Sequence, residues 1–425
     1  MATLMPRNLT DPSEAVSRIY QTVRAQTRRL AAGLSDADAT VQSMPDASPA
    51  KWHLAHTTWF FEAMVLSAHA PAYRVFDPQY AYLFNSYYES IGARHARPRR
   101  GMLTRPSLAE IGEYRAHVDQ AVARLLAGEC DPKVGMLLEL GCHHEQQHQE
   151  LLLTDILHLF AQNPLHPAYA PASRGARVAA VPGPLTFSEY QDGIIEIGHV
   201  DPGFAFDCET PRHRVVRPAF RLGNRCVTNR EWLDFMADGG YRTPLLWLSD
   251  GWTEVQSQGL RMPLYWWEEE GDHFSMTLQG GQPLELDAPV THVSLFEADA
   301  FATWAGKRLP TEFEWESVAA GQPCEGNFAD SGLLRPTPVS GARPGPQQLF
   351  GDVWEWTRSA FAPYPGFRTS PGAVGEYNGK FMSGQYVLRG GSCATPAEHV
   401  RASYRNFFRP DTRWQFSGVR LAEDA

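Results

Sequence analysis

An α+β chain in two unlike parts, a helical bundle followed by a domain of short strands, is what this sequence predicts. Three observations carry the prediction. Apolar residues recur at helical intervals in four segments between residues 13 and 161. Residues 163–184 then hold five prolines and many alanines, which suits a linker or an extended arm. Beyond them the helical period gives way to short strand-like runs with frequent Gly and Trp. The expected limits are a bundle over 1–165, a Pro/Ala-rich linker over 166–184 and a second domain over 185–425. At 425 residues the chain exceeds one ordinary core, so two domains are the natural expectation.

Bulk properties exclude several function classes. A hydrophobic content of 43% with 12 Trp, 15 Tyr and 22 Phe supplies packed cores rather than disorder. The net charge of −10 gives no basic stripe, which argues against nucleic-acid binding. No apolar run approaches the roughly 18 residues of a membrane span. Residues 1–18 lack a basic region followed by an apolar stretch, so no secretory signal is expected. Six scattered cysteines without a C-x-x-C fit free thiols in a reducing cytoplasm.

Taken in order, the first helix spans 13–33, with Ala15, Ile19, Tyr20, Val23 and Leu30 at helical intervals. Ser48 as N-cap and Pro49 at the first helical position start a second one, which carries Trp52, His53, His56, Phe61 and Val65. Residues 70–105 break the pattern with an aromatic, Arg-rich passage that includes Tyr87, Tyr88, Arg94 and Arg97. A loop this long inside a helical domain is usually functional. A third helix covers 107–128 and a fourth 134–161. In the second domain two short helices are expected, at 229–237 and 294–306.

The fourth helix carries the chemistry. His143, His144 and His148 fall within six positions. His144 and His148, four apart, lie one above the other on a helix face, as two imidazoles must to grip one metal ion. Gln147 sits about 60° from His144, whereas Glu150 is roughly 200° round from His148 and poorly placed as a ligand. A third ligand is needed, and either His53 or His56 could supply it.

Several further segments carry a resemblance. Pro289–Ser294, Trp304–Glu316, Gly351–Thr357 and Leu388–Ser392 resemble the formylglycine-generating-enzyme family, a C-type-lectin-like fold. The Trp52–His56 segment and the H-x-x-x-H-x-E of His144, His148 and Glu150 resemble DinB-like four-helix bundles. In this order the two halves resemble the iron(II)-dependent sulfoxide synthases of ergothioneine biosynthesis. The resemblance implies an oxygenase that joins a thiol to C2 of the hercynine imidazole and oxidises the sulfur with O2. It implies His56, His144 and His148 as ligands of Fe(II), and His53 as a structural neighbour. Zinc would be the rival from ligand type alone.

Other roles are implied in the same way. Gln147 would contact the imidazole of hercynine, and Arg94 and Arg97 would hold carboxylates of the sulfur donor. Tyr87 and Tyr88 match a tyrosine pair in the cysteine-using branch, where one acts as the active-site acid. Asn406, Phe407 and Phe408 would help the lectin-like domain complete the substrate pocket. They replace an Asn-Trp-Asp of the γ-glutamylcysteine-using branch, which makes that donor less suited. Ser383 and Gly384 stand where cysteine-using members have Cys and Asn, and smaller residues there keep open a near relative that joins a selenosugar to hercynine. Three other classes compete: a formylglycine-generating oxidase, disfavoured because Cys393 is the last cysteine, a zinc-dependent thiol transferase and a carbohydrate-binding protein.

Overall fold

Several helices begin with reciprocal side-chain caps. In the computed structural model, which describes residues 12–128, 131–170, 182–200, 203–339, 345–370 and 373–425, four Ser/Thr-x-x-Glu boxes close helix N-termini. They are Ser107 with Glu110, Thr228 with Glu231, Ser294 with Glu297 and Thr311 with Glu314. The chain divides into two compact units, Met1–Ile156 and Leu157–Ala425.

The first unit is helical. Its helices are α1 (Pro12–Ala31), α2 (Asp36–Thr40), α3 (Ala50–Phe60), α4 (Ser67–His69), α5 (Tyr80–Phe84), α6 (Leu108–Leu126) and α7 (Pro132–Ala161). The last turns of α7 run on into the second unit. Four of them, α1, α3, α6 and α7, are the four helices expected. The passage 70–105 is less irregular than its composition suggests, since it contains α5 and a 3₁₀ helix at Arg97–Met102. Val23, Trp59, Phe61, Val65, Tyr114, Val118, Leu138 and Leu152 are buried in the bundle core, each stabilising it by about 1.5–3 kcal/mol.

Two details of α3 differ from expectation. Pro49, not Ser48, occupies the cap position, and no side chain caps this helix. Ser48 is taken by tertiary partners: its N–H donates to Asp155 Oδ2 at 2.7 Å and its hydroxyl accepts from Arg100 at 2.9 Å. After Phe60 the helix widens into a π-helical segment, Phe61–Leu66, a feature often found beside functional sites. There the buried Glu62 accepts from the Tyr114 hydroxyl at 2.6 Å and from Phe76 N–H at 3.1 Å, which ties the segment to α6 and to the following loop.

A buried ion cluster locks the helices. Glu145 of α7 takes Arg24 of α1 at 2.9 Å and Arg115 of α6 at 2.8 Å. Arg115 also donates to the Leu54 carbonyl of α3 at 3.0 Å. One carboxylate thereby joins three helices, and through Arg115 reaches the fourth.

The second unit opens with residues 157–170, which include the last turns of α7; residues 171–181 of the expected linker lie outside the described residues. Its strands are β1 (Phe187–Tyr190), β2 (Gly193–Ile197), β3 (His213–Arg217), β4 (Phe220–Gly223), β5 (Trp266–Glu269), β6 (Asp272–Thr277), β7 (Gly280–Pro283), β8 (Trp354–Ala360), β9 (Tyr386–Arg389), β10 (Asn406–Phe408), β11 (Ser417–Gly418) and β12 (Ala422–Asp424). They form sheets in the orders β1-β4-β12, β10-β9-β8-β11, β2-β3 and β5-β6-β7. All pairings are antiparallel except β8 with β11. Among the described residues four α-helices complete the unit: α8 (Asn229–Ala237), α9 (Ser249–Gln258), α10 (Leu295–Trp304) and α11 (Glu312–Ala319). Of these, α8 and α10 were expected.

The Trp- and Gly-bearing motifs hold this unit together. Glu355 of β8 is buried and accepts from Trp315 Nε1 at 2.8 Å and Arg420 Nε at 2.7 Å. Arg389 of β9 is buried between Glu312 and Glu316 of α11, at 2.8 Å from each. Gly351 has φ +76°, and a Cβ there would fall 2.6 Å from the backbone of Asn327, so only glycine fits. These motifs specify the fold.

Candidate metal centre

The bundle brings two helices together at three imidazoles. His56 comes from α3, and His144 and His148 come from α7, one helical turn apart. Their ring centroids are 4.9, 4.7 and 4.7 Å apart, a nearly equilateral triangle. One nitrogen from each lies within 4.8 Å of the others. His56 Nε2 and His144 Nε2 are 3.2 Å apart. Two imidazole nitrogens on one divalent ion, each about 2.0–2.1 Å from it, lie roughly 3 Å apart at the usual angles. The triangle therefore fits a metal ion.

Protonation favours the same use. Burial pushes His56 well below its ordinary value, with His144 adding to the effect. His148 is lowered the same way, by burial and then by His144 and His56, and burial takes His144 down to about 3. All three imidazoles are neutral, with lone pairs to offer. His56 Nδ1 donates to the Phe84 carbonyl at 2.6 Å, which leaves Nε2 bare and turned toward His144.

An aromatic stack fixes the His56 ring. Trp52 lies parallel to it at 4.6 Å on one face and Trp59 at 5.6 Å on the other. Arg100 covers the outer face of Trp52, its guanidinium 3.3 Å from the indole centroid. Burial and the neighbouring Arg97 push Arg100 below its ordinary value, while Asp155 pulls it up. Phe60 packs 4.8 Å from His144.

His53, the other candidate for third ligand, stands behind His148. Its Nδ1 is 2.8 Å from His148 Nδ1, and its Nε2 is 3.0 Å from Asp155 Oδ2. Gln147 is half-buried on α7, one residue before His148. Tyr88 is fully buried, stacks on Tyr87 at 4.6 Å and packs 5.6 Å from Trp59. Asn85 shapes this tyrosine turn by accepting from Tyr88 N–H at 3.0 Å and donating to the carbonyls of Tyr88 and Gly92.

The remaining predicted residues lie partly in the first unit and partly in the second. Arg94 and Arg97 are exposed; Arg94 pairs with Glu89, and Arg97 donates to the Asp46 carbonyl. Asn406, Phe407 and Phe408 are half-buried on β10 in the second unit. Asn406 Oδ1 accepts from Phe407 N–H at 2.9 Å, and Phe407 stacks on Phe361 at 4.0 Å. Ser383 is exposed, and Gly384 has φ +65° with open space where a Cβ would stand.

Sequence reasoning missed Trp59, Phe84, Arg100 and Asp155. For Trp59 a signal existed: Trp52, His56 and Trp59 recur at i, i+4 and i+7, one face of a helix. For the other three there was none. Phe84 acts through its backbone, and Arg100 and Asp155 act across 52 and 107 residues of chain respectively.

Comparison with known proteins gives independent bearings. Residues 19–152 match the DinB superfamily, and residues 183–342 and 327–425 match the sulfatase-modifying factor enzyme 1-like domain. The first unit thus has the DinB-type helical fold and the second the C-type-lectin-like fold of sulfatase-modifying factors. The hercynine oxygenase of Mycobacterium tuberculosis is 35% identical over 98% of this chain and all of that protein. That of Mycolicibacterium thermoresistibile is 35% identical over 94% of this chain and 93% of that protein. The formylglycine-generating enzyme of Streptomyces coelicolor is 29% identical over 60% of this chain and 97% of its own length.

Proposed function

Because the chain belongs to the hercynine oxygenase family, we propose that it is an oxidoreductase of ergothioneine biosynthesis that joins a thiol to C2 of the hercynine imidazole with sulfoxidation by O2. His56, His144 and His148 hold Fe(II) in this reading. The observation that carries it is the triangle of three neutral imidazoles with ring centroids 4.7–4.9 Å apart. When bound by these three imidazoles, a divalent iron would supply Lewis-acid and O2-dependent redox chemistry.

The chain's own residues do the rest. Trp52 and Trp59 hold the His56 ring at one tilt, so its Nε2 keeps a fixed direction. Gln147 hydrogen-bonds the hercynine imidazole; its place one residue before His148 on the same helix supports that role. Tyr87 or Tyr88 donates a proton, a role supported by the burial of Tyr88 against the aromatic wall of Trp59 and Phe60. Arg94 and Arg97 hold a carboxylate of the sulfur donor, which Arg94 would exchange for Glu89. Asn406, Phe407 and Phe408 serve as substrate-binding residues, with Asn406 at the hercynine end.

The thiol is cysteine or a close relative of it. None of the relatives reported above carries a name that favours the selenosugar. One assay tests both points. The protein is incubated aerobically with Fe(II), hercynine and, in turn, cysteine, γ-glutamylcysteine and a selenosugar, and products are followed by mass. A hercynine–cysteine sulfoxide is expected. Failure to consume hercynine with any donor would remove the oxygenase reading, and a selenium product formed much faster than any sulfoxide would reassign the donor.

A further inference from the structure

His53 and Asp155 form a two-step relay behind His148, and we propose that they are positioning residues that fix the tautomer in which His148 can bind the metal. The inference rests on the metal site proposed above and extends it to two residues that touch neither substrate nor ion.

With His53 neutral and Asp155 ionised, the geometry leaves one consistent arrangement of protons. Asp155 Oδ2 accepts the Ser48 backbone N–H at 2.7 Å and lies 3.0 Å from His53 Nε2. A carboxylate only accepts, so His53 carries its proton on Nε2. Its Nδ1 is then bare and can only accept. His148 Nδ1, 2.8 Å away, must be the donor, and His148 Nε2 is left with its lone pair. Reversing the protons would put His53 Nδ1–H on His148 Nδ1 and move the His148 proton to Nε2, where it blocks ligation. It would also set a bare nitrogen against a carboxylate oxygen at 3.0 Å. Asp155 is what makes the reversed arrangement costly.

The parts are placed for this. Asp155 follows His148 by seven residues on α7, nearly two full turns, and so shares its face. His53 precedes His56 by three on α3, which sets it beside that ligand but turned to the second histidine. Both His53 and Asp155 are buried, which shields the bond between them from water; the bond to His148 is part-buried. Ser48 closes the chain by giving its N–H to Asp155 and accepting from Arg100 through its hydroxyl. His56, by contrast, is oriented by the single neutral carbonyl of Phe84. These two candidate ligands are thus held by different partners, His56 by a neutral carbonyl and His148 through a charged carboxylate.

The test reads metal binding directly. Full-length protein is loaded anaerobically with Co(II), and transfer to a chromogenic chelator is timed for the parent, Asp155→Ala, Asp155→Asn and His53→Phe. Outer-shell partners of this kind change metal affinity by roughly 10- to 100-fold, so Asp155→Ala and His53→Phe should release Co(II) that much faster, with a changed visible absorption band. Asp155→Asn keeps one oxygen for both bonds and should fall between them and the parent. Asp119→Asn, which weakens an ion pair to Arg24, should lower thermal stability without moving the release rate. His53→Phe and Asp155→Asn conserve volume, so they keep the test open should Asp155→Ala fold poorly. Release at the parent's rate with an unchanged band in both would overturn the relay. A parent that binds no Co(II), or a His144→Ala variant that binds it normally, would instead overturn the metal site itself.

Discussion

His56 is the imidazole whose surroundings are most tightly specified. Its ring sits between Trp52 and Trp59, its Nδ1 is bonded to a carbonyl, and Arg100 caps the stack from outside. Trp52→Leu removes one wall and the platform for a buried cation. A large-to-small change of this kind costs about 3 kcal/mol, and it should weaken Co(II) binding along with the urea midpoint. Trp52→Phe keeps a flat partner and should retain most of the affinity at a smaller stability cost. Equal metal affinity in Trp52→Leu and parent would mean that the stack serves packing alone. Spacing cannot make the choice between His53 and His56, because residues three apart on a helix point within about 60° of each other. Their tertiary neighbours separate them: Phe84 and two indoles for one, Asp155 and His148 for the other.

Helices α3 and α7 must approach closely for the two halves of the ligand set to meet. Gly141, one turn before His144, marks the crossing. A Cβ at this position would stand 2.3 Å from the ring of Phe61, which is fully buried. Gly135, on the same helix, has nothing within 4 Å of its would-be Cβ. Helix propensity favours alanine over glycine by about 0.8–1.0 kcal/mol at either site, whereas overpacking a tight core costs about 1–3 kcal/mol. Gly135→Ala should therefore stabilise by up to about 1 kcal/mol, and Gly141→Ala should destabilise despite the identical change. Phe61→Leu should recover part of the Gly141→Ala loss in a double-mutant cycle. Chemical denaturation of the four variants settles the signs; stabilisation by Gly141→Ala would mean the helices have room to part.

Elements of this kind were readable where the signal is local. Local patterning gave α6, α8 and α10, and in the structure each of them starts with a Ser or Thr and a Glu three residues on that satisfy each other without outside help. Ser48 misled for the complementary reason: its polar groups are recruited by Asp155 and Arg100, and long-range partners leave no mark on a local window. The π-helical turn at Phe61–Leu66 was unreadable for the same cause, since Glu62 serves distant partners there. In the candidate site, the spacing of His144 and His148 was local and legible, while the backbone carbonyl of Phe84 and the relay through Asp155 were not.

Each unit carries its own buried charge network, and at the scale of the whole molecule this separates stability from metal binding. All three candidate ligands lie between residues 56 and 148, in the first unit. In the second, Glu312 accepts from Arg389 at 2.8 Å and from Arg405 at 2.8 and 3.0 Å. Removing one partner of a buried pair leaves an uncompensated charge and costs about 3–5 kcal/mol. For a unit of this size, that lowers the unfolding temperature by on the order of 10 °C. Metal acts in the opposite direction: at roughly a hundred times its Kd, a ligand that binds only the folded state adds about 2.7 kcal/mol. Calorimetry of the parent, Glu312→Ala and His144→Ala, each with and without Co(II), tests the separation. Glu312→Ala should unfold earlier yet keep the parent's Co(II) affinity, because its lost contacts involve no ligand or ligand neighbour. His144→Ala should lose the metal-dependent increment even where its metal-free unfolding is little changed. A Glu312→Ala protein that folds but no longer binds Co(II) would show that the three histidines depend on the second unit to hold the ion.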